Sequence, residues 1–256
     1  MTSIIFILAY IASLIFSTLY ISPYFIIVWL FTSYIIAFLT VIVYYILNFP
    51  IVLLLKPTHP YKTYLMKSLS CFLNKFVLNL KVEIKGLENI PNEGSIVAYS
   101  NHKSYTDAFA IMQYFPRSIT LTPKKSVLKI PLFRLWLKAY AVFPINRNNP
   151  RETLKDLDKA IKTVRSNHTI LIFPEGSIKD RNNDKVLNAK AGSFRLVKLA
   201  EAGILPIRIE GNDLVRKRWP LRTKRKIIFY PIISYKTIEQ LNTQEISKMF
   251  MDTINN

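Results

Sequence analysis

A histidine and an aspartate five residues apart follow a short apolar run near the middle of the chain. The run covers residues 95–99, and Asn101, His102 and Asp107 come after it. On one continuous helix, five residues at about 100° each would put the two side chains about 140° apart. A strand that ends near Asn101, followed by a loop and a helix that begins at Ser104, would instead bring Asp107 back to the imidazole. An aspartate that accepts the proton of one ring nitrogen leaves the other nitrogen free to act as a base towards a hydroxyl.

The same spacing has a simpler interpretation. Ser104 and Asp107 also match a capping box, in which Asp107 only completes a helix start and His102 is a polar loop residue. The chain has no Gly-x-Ser-x-Gly motif, and its single cysteine, Cys71, lies in an amphipathic segment. With no obvious covalent nucleophile in the chain, the attacking hydroxyl would belong to a substrate.

Two further polar clusters follow apolar runs. Residues 173–177, Phe-Pro-Glu-Gly-Ser, come directly after the run 169–172, and Arg147 ends the stretch 142–147. A carboxylate beside a glycine at the end of a parallel strand suits a ligand site, and a guanidinium matches the geometry of phosphate. Taken singly, the first cluster is equally consistent with an ordinary strand-ending turn, and one arginine at a strand end indicates little.

The elements that would position these residues begin near Lys81. From there, short apolar runs alternate with longer amphipathic ones, which is typical of an α/β domain. Predicted strands are residues 81–85, 95–100, 120, 142–144, 169–173, 204–209 and 226–231, and predicted helices are 150–165 and 189–202. We therefore predict a mixed, mostly parallel sheet flanked by helices over residues 81–256.

The first 55 residues have a different composition. No charged residue and no histidine precedes Lys56, and Ser22-Pro23 separates two apolar runs, 4–21 and 24–47. Each run is close to the roughly 20 residues that cross a bilayer, and the stretch is too long for a signal peptide. We predict a retained helical hairpin in the membrane over residues 1–55; a hairpin that dips into one leaflet is the alternative. The lysines that follow it place the rest of the chain on the cytoplasmic side by the positive-inside rule.

Residues 56–80 form a predicted amphipathic helix, with leucine and phenylalanine at helical spacing between Leu65 and Leu80. It either lies along the membrane surface or packs on the core of the following domain. The sequence leaves both interpretations open.

The formal charge of +19 falls entirely on residues 56–256. Seven of the eleven residues from Arg216 to Lys226 are basic. This run either faces anionic headgroups or acidic acyl donors, or is a solvated loop before the last strand. Nucleic acid would also attract such charge, but the apolar anchor and the lack of zinc ligands or a recognised binding motif argue against that partner. A single cysteine excludes an intramolecular disulfide and a cysteine-rich metal site.

Four segments of the chain together resemble the glycerolipid acyltransferase family, which includes the 1-acyl-glycerol-3-phosphate acyltransferases. The family's Asn-His-x-x-x-x-Asp block stands at 101–107, its Phe-Pro-Glu-Gly block stands at 173–176, and its second and fourth blocks resemble 142–147 and 204–207. The similarity extends from about residue 82 to 235. Two departures are visible: Ala141 stands where many relatives have glycine, and Asn146 where aspartate is frequent.

The resemblance implies a mechanism without an acyl-enzyme and without a cofactor or metal. His102, assisted by Asp107, would remove the proton of a glycerol hydroxyl, which attacks the thioester of acyl-coenzyme A or acyl carrier protein directly. The residues that would bind substrate are Asn101, Lys125, Arg147, Glu175, Gly176 and Ser177. Membrane lipids, above all lysophosphatidic acid, are the implied partners.

The predicted function is therefore acyl transfer to 1-acylglycerol-3-phosphate, which gives phosphatidic acid. Alternatives are an acyltransferase that acts on glycerol-3-phosphate or on another lysophospholipid, and a non-catalytic lipid-binding membrane protein. Intact His102, Asp107 and Glu175 argue against the last of these.

Overall fold

The computed structural model describes residues 1–144, 157–178, 181 and 183–256. It divides into two compact units, Met1–Leu55 and Lys56–Asn256.

The first unit consists of two apolar helices. Helix α1 covers Thr2–Phe16 and continues in a π-helical turn, Ser17–Ile21, and helix α2 covers Ile26–Leu54. Both are long and apolar enough to cross a membrane, and most of their surface is exposed.

The two helices pair in opposite directions. The Thr2 and Tyr45 hydroxyls lie 2.8 Å apart at one end, and Ser33 Oγ donates to Ser13 Oγ over 3.2 Å towards the other. Small residues such as Ser13 and Ser33 allow the backbones of apolar helices to approach closely. The described residues thus form the predicted helical hairpin.

The second unit alternates strands and helices. Its strands are β1 (Leu80–Lys85), β2 (Ile96–Ser100), β3 (Ile119–Leu121), β4 (Thr169–Ile172), β5 (Gly203–Glu210) and β6 (Thr223–Phe229). Its α-helices are α3 (Pro60–Phe72), α4 (Asp107–Tyr114), α5 (Pro131–Ala139), α6 (Leu157–Arg165), α7 (Arg195–Ala200), α8 (Asn212–Arg218), α9 (Tyr235–Ile238) and α10 (Thr243–Asn255). Short 3₁₀ segments cover Leu87–Asn89, Lys125–Lys129 and Ala191–Phe194.

The six strands form one mixed sheet in the order β1-β6-β5-β2-β4-β3. Every neighbouring pair is parallel except β5 and β6, which run in opposite directions. The carboxyl ends of β2 to β5 therefore share one edge with the amino ends of β1 and β6. This sheet, flanked by helices, confirms the predicted fold class.

Helices cover both faces of the sheet, and β2 is therefore buried on both faces. Successive side chains of a strand point to opposite faces. Val97 and Tyr99 pack with Phe250 of α10 on one face, and Ala98 packs with Ile111 of α4 on the other. A strand buried on both sides has the continuous apolar sequence that residues 96–99 show.

Two predicted elements differ from the structure. Residues 142–144 do not form a strand, although Phe143 N–H donates to Leu121 O over 3.1 Å. Ala141 turns the chain with a φ of 49°, and Pro144 has no N–H for a ladder. The predicted helix 189–202 is a 3₁₀ turn followed by the shorter α7. Of the predicted helix 150–165, residues 150–156 lie outside the described residues.

Helix α3, within the predicted amphipathic segment, packs inside the second unit. Met66 contacts the core around Ala98, and Lys62 Nζ donates to Ala139 O over 2.6 Å at the end of α5. Asn74, just after α3, donates to Gln113 of α4 over 2.7 Å. These contacts match the interpretation of a helix packed on the domain's own core.

Candidate active site

The loops after β2 and β4 lie side by side because these two strands are parallel neighbours. Tyr99 pairs with Ile172, so both chains leave the sheet at the same level. His102 follows β2 by two residues, and Glu175 follows β4 by three. The His102–Asp107 loop and the segment 173–177 therefore meet at one edge of the sheet.

His102 and Asp107 are in contact. His102 Nδ1 lies 3.1 Å from Asp107 Oδ2. Asp107 is fully buried as the first residue of α4, whereas the imidazole exposes 12% of its surface. A carboxylate can only accept, so Nδ1 carries the proton in this contact and Nε2 is the nitrogen that can take one from a substrate.

The loop between the two residues folds around the carboxylate. The backbone N–H groups of Lys103 and Ser104 both donate to Asp107 Oδ2 over 2.8 Å. Ser104 Oγ lies 2.9 Å from Thr106 Oγ1. The helix begins at Asp107 with Thr106 as its N-cap and not at Ser104, so the Ser104 N–H bond is the one part of the anticipated capping box that forms. Asp107 also contacts the imidazole, so it does more than complete a helix start.

Arg225 is a further partner of Asp107, beside His102. Arg225 Nη2 donates to Asp107 Oδ1 over 2.5 Å, and Arg225 Nη1 donates to the Thr106 hydroxyl over 3.0 Å. Both charged side chains of the ion pair are fully buried. The sequence prediction missed Arg225, and its only signal was membership of the basic run 216–226.

The pKa of Asp107 reflects these contacts. Burial by itself raises the pKa of this carboxyl. The hydrogen bond from His102, the charges of Arg225 and His102, and the Ser104 amide outweigh burial and hold the pKa below its usual value of 3.8. Asp107 is therefore a carboxylate at neutral pH.

Glu175 holds the same loop from the other side. Its Oε1 accepts from His102 N–H over 2.9 Å, and its Oε2 pairs with Lys103 Nζ over 2.7 Å. The Lys103 ammonium is completely buried in this ion pair. Both oxygens of Glu175 thus contact the histidine loop. The sequence analysis placed Glu175 among the substrate ligands, which stays a prediction, and it missed Lys103.

Phe173, two residues before Glu175 in the Phe-Pro-Glu-Gly-Ser segment, orients the imidazole. Its ring stacks on His102 with centroids 4.1 Å apart and an angle of 21° between the planes. The segment 173–177 therefore contacts His102 twice, through the bond from the His102 N–H to Glu175 and through the ring of Phe173.

Asn101, also predicted to bind substrate, joins two segments inside the domain. Its Nδ2 donates to Asp184 O and to Ile209 O, and its Oδ1 accepts from Ile209 N–H, each over 2.8 Å. The residue is fully buried. Both amide protons are therefore bonded within the domain, and Asn101 links the end of β2 to the end of β5.

The remaining predicted ligands lie at or near this edge, apart from Arg147, which is outside the described residues. Gly176 adopts a φ of 72°, and a Cβ there would approach Lys190 Cε to 3.0 Å. Ser177 is half-buried in the same loop, and Lys125 is exposed at the start of its 3₁₀ segment, after β3.

A further arginine, not predicted from the sequence, lies beside the histidine loop. Tyr105, between His102 and Asp107, is 77% exposed, and the Arg181 guanidinium carbon lies 5.5 Å from its ring centre. A guanidinium on an aromatic face keeps its hydrogen-bond donors at the edge of the plane. Arg181 therefore brings donors for an anion next to Tyr105, in the loop between His102 and Asp107.

Within the described ranges, no group of three histidine, cysteine or acidic residues could hold a metal ion. The arrangement is a base, its carboxylate partner and nearby cationic groups. Such a site can remove a proton from a hydroxyl of an anionic substrate.

Comparisons with known proteins agree on one family. A family model described as "Acyltransferase" matches residues 81–210. The chain is 29% identical over 146 residues to the 1-acyl-sn-glycerol-3-phosphate acyltransferase of Saccharomyces cerevisiae, which covers 56% of this chain and 48% of the relative. It is 24% identical over 182 residues to the protein of the same name from Borreliella burgdorferi, with 70% and 72% covered.

Among solved structures, the 1-acyl-sn-glycerophosphate acyltransferase PlsC from Thermotoga maritima matches with a TM-score of 0.56. The identity is 19%, and the match covers 75% of this chain and 79% of the other. At this identity the likeness shows a shared fold. The chain spans about half the length of the yeast relative.

Proposed function

Because the chain belongs to the Acyltransferase family, we propose that it transfers a fatty acyl chain from a thioester donor to the free hydroxyl of 1-acylglycerol-3-phosphate, which gives phosphatidic acid. The observation that carries this proposal is the imidazole of His102 held against the buried Asp107 carboxylate. The names of the yeast and Borreliella relatives support the choice of acceptor.

The reaction follows from the geometry of the pair. Asp107 fixes the proton on Nδ1 of His102, so Nε2 accepts the proton of the acceptor hydroxyl as the oxygen attacks the thioester carbonyl. The tetrahedral intermediate then expels the thiolate, and the thiolate takes from the imidazolium the proton that came from the acceptor hydroxyl. The bond between acyl carbon and sulfur breaks, an ester bond forms, and no acyl-enzyme is needed.

Arg225 keeps the carboxylate ionised during this cycle. An imidazolium forms when Nε2 takes the proton, and a neighbouring anion stabilises that charge. Asp107 could not serve in this way if burial left it protonated. The buried guanidinium thus acts on His102 through Asp107.

The phosphate of the acceptor requires cationic groups near the base. Arg181 beside Tyr105 is one, and the proposal keeps Arg147 and Lys125 as further candidates. Gly176 and Ser177 line the loop next to the imidazole and would contact the glycerol moiety. Glu175, paired with Lys103, contributes through the loop that it holds.

The enzyme would act at a membrane. Two apolar helices long enough to cross a bilayer precede the domain, and both the acceptor and the product are membrane lipids. The lysines that follow these helices favour a domain on the cytoplasmic side. Acyl-coenzyme A or acyl carrier protein would supply the acyl chain from the aqueous phase.

The test is an acyl-transfer assay with the purified full chain in lipid vesicles. Lysophosphatidic acid, glycerol-3-phosphate and lysophosphatidylcholine are each combined with acyl-coenzyme A and with acyl-loaded acyl carrier protein, and the acylated product of each acceptor is measured by chromatography. We expect transfer to lysophosphatidic acid, and none by the matched His102→Ala protein. Preference for another acceptor would replace the proposed substrate, and full turnover by the His102→Ala protein would remove the proposed base.

A further inference from the structure

A basic segment with an apolar tip precedes β6. It covers residues 217–222, Lys-Arg-Trp-Pro-Leu-Arg, and all six residues are exposed. Trp219 exposes 59% of its surface and Leu221 exposes 65%. We call these six residues the Trp219 segment.

The Trp219 segment lies at the same edge of the sheet as the proposed base. Strand β6 runs opposite to β5, so Thr223 is at the edge where β2 and β4 end. Arg225, which contacts Asp107, follows Arg222 by three residues, or roughly 10 Å of extended chain. A surface that touches this segment therefore also lies close to the site.

Hydrogen bonds hold the exposed tip in place. Trp219 Nε1 donates to Val77 O over 2.9 Å, and Asn79 Nδ2 donates to Pro220 O over 3.1 Å. Thr223 N–H donates to Asn79 O over 3.1 Å. The indole N–H is thus bonded while most of the ring remains exposed.

The chain on either side of Trp219 and Leu221 carries one sign of charge. No acidic residue occurs between Asp213 and Glu239. Across the part of the chain that the structure describes, neither Arg218 nor Arg222 takes part in an ion pair. Both guanidinium groups are therefore available to an external anion.

We propose that the Trp219 segment contacts an anionic membrane surface, with Trp219 and Leu221 at the boundary between headgroups and acyl chains and the basic residues among the headgroups. Tryptophan favours that boundary because its ring is apolar and its N–H is polar. Each basic side chain near an anionic surface strengthens binding roughly fivefold.

The proposal rests on the proposed function, since a lipid acceptor must reach His102 from the bilayer. It specifies where the domain itself would meet that bilayer. The acidic surface of a carrier protein would match the charge of the segment equally well. An exposed indole and an exposed leucine match the boundary of a lipid layer better.

Fluorescence of Trp219 tests the contact directly. The chain has three tryptophans, so the double variant Trp29→Phe/Trp136→Phe leaves Trp219 as the only one. The full chain is reconstituted in phosphatidylcholine vesicles with or without phosphatidylglycerol, with brominated or ordinary acyl chains. We expect bromine to quench Trp219, and more strongly in the anionic vesicles. Equal emission with both acyl chains in anionic vesicles would overturn the proposal.

A matched variant separates the contribution of the arginine charges from that of Trp219 and Leu221. Arg218→Gln/Arg222→Gln in the same background removes two exposed charges and leaves the tip unchanged. We expect the extra quenching by phosphatidylglycerol to be lost, while quenching in pure phosphatidylcholine stays the same. Retention of the full anionic effect would contradict the assignment of these arginines to headgroups.

Two further outcomes distinguish this inference from the proposed function. Acyl transfer without quenching of Trp219 would overturn the membrane contact alone, and a response of Trp219 only to added acyl carrier protein would assign the segment to that carrier. Quenching without acyl transfer to any acceptor would support the contact and overturn the proposed function.

Discussion

Arg225 Nη2 lies 2.5 Å from Asp107 Oδ1, and both side chains are fully buried although 118 residues separate them in the chain. The other carboxylate oxygen, Oδ2, faces His102. The buried Asp107 carboxylate therefore contacts Arg225 through one oxygen and His102 through the other. The desolvation of Asp107 is offset by these partners, and removal of either changes the base.

His102→Ala should abolish acyl transfer and leave the fold intact. General-base catalysis contributes typically 10² to 10⁴-fold, so we expect a loss of about that size in kcat. The side chain is at the surface of the site and 12% exposed, so the thermal midpoint should change little. Circular dichroism and the transfer assay together check this; an unfolded variant would make His102 structural.

Arg225→Met should destabilise the domain as well as reduce activity. It leaves the Asp107 carboxylate buried without its guanidinium, and breaking a buried pair in this way costs about 3–5 kcal/mol. Arg222→Gln, which removes an exposed arginine three residues earlier, is the matched control and should be near neutral. Denaturant unfolding measures the difference, and equal midpoints for the two variants would contradict the buried ion pair.

Glu175→Gln should lower kcat and leave the acceptor KM nearly unchanged. The substitution weakens the bond to Lys103 and loosens the loop that holds His102, but removes no contact to substrate. Initial rates over a range of lysophosphatidic acid concentrations separate the two constants. A rise in KM alone would restore Glu175 to the substrate ligands predicted from the sequence.

Arg181→Gln should raise the acceptor KM. We propose that the guanidinium beside Tyr105 binds the phosphate, and loss of a charge-assisted hydrogen bond is worth about 1.5–3 kcal/mol, or roughly 10 to 100-fold. Arg147→Gln is measured beside it. If only the Arg147 variant responds, the phosphate binds there and Arg181 has no part in recognition.

The domain should lose stability as the pH falls from about 6.5 towards about 4. Burial lowers the pKa of His168 to about 4, and the charges of Arg117 and Lys62 act in the same direction. The folded state keeps this imidazole neutral, so the unfolded state binds the extra proton within that window, and protonation favours unfolding. A shift of this size corresponds to about 3 kcal/mol.

Denaturant midpoints of the full chain across that pH range test the expectation. His168→Leu should flatten the curve, whereas the pKa of Asp107, already below 3.8, places its own contribution at lower pH. A wild-type curve that is flat down to about pH 4 would show that His168 titrates normally in the fold.

Much of this fold follows from local sequence patterns. The uncharged stretch before Lys56 predicted the two apolar helices, and alternating apolar runs predicted the mixed sheet. The spacing of His102 and Asp107 predicted their contact, because a strand, a loop and a helix start are local structures that short sequence patterns encode. The resemblance of four segments predicted the family.

The contacts of the polar motif residues depend on packing between segments that are distant in the chain. Asn101 and Glu175 are in the motifs, yet their side chains are taken up by Ile209 and by Lys103. Arg225 reaches Asp107 because β6 runs opposite to β5, which brings the amino end of β6 to the edge of the sheet where β2 and β4 end. Strand direction and order depend on contacts distant in sequence, so no local pattern around Arg225 could reveal its partner.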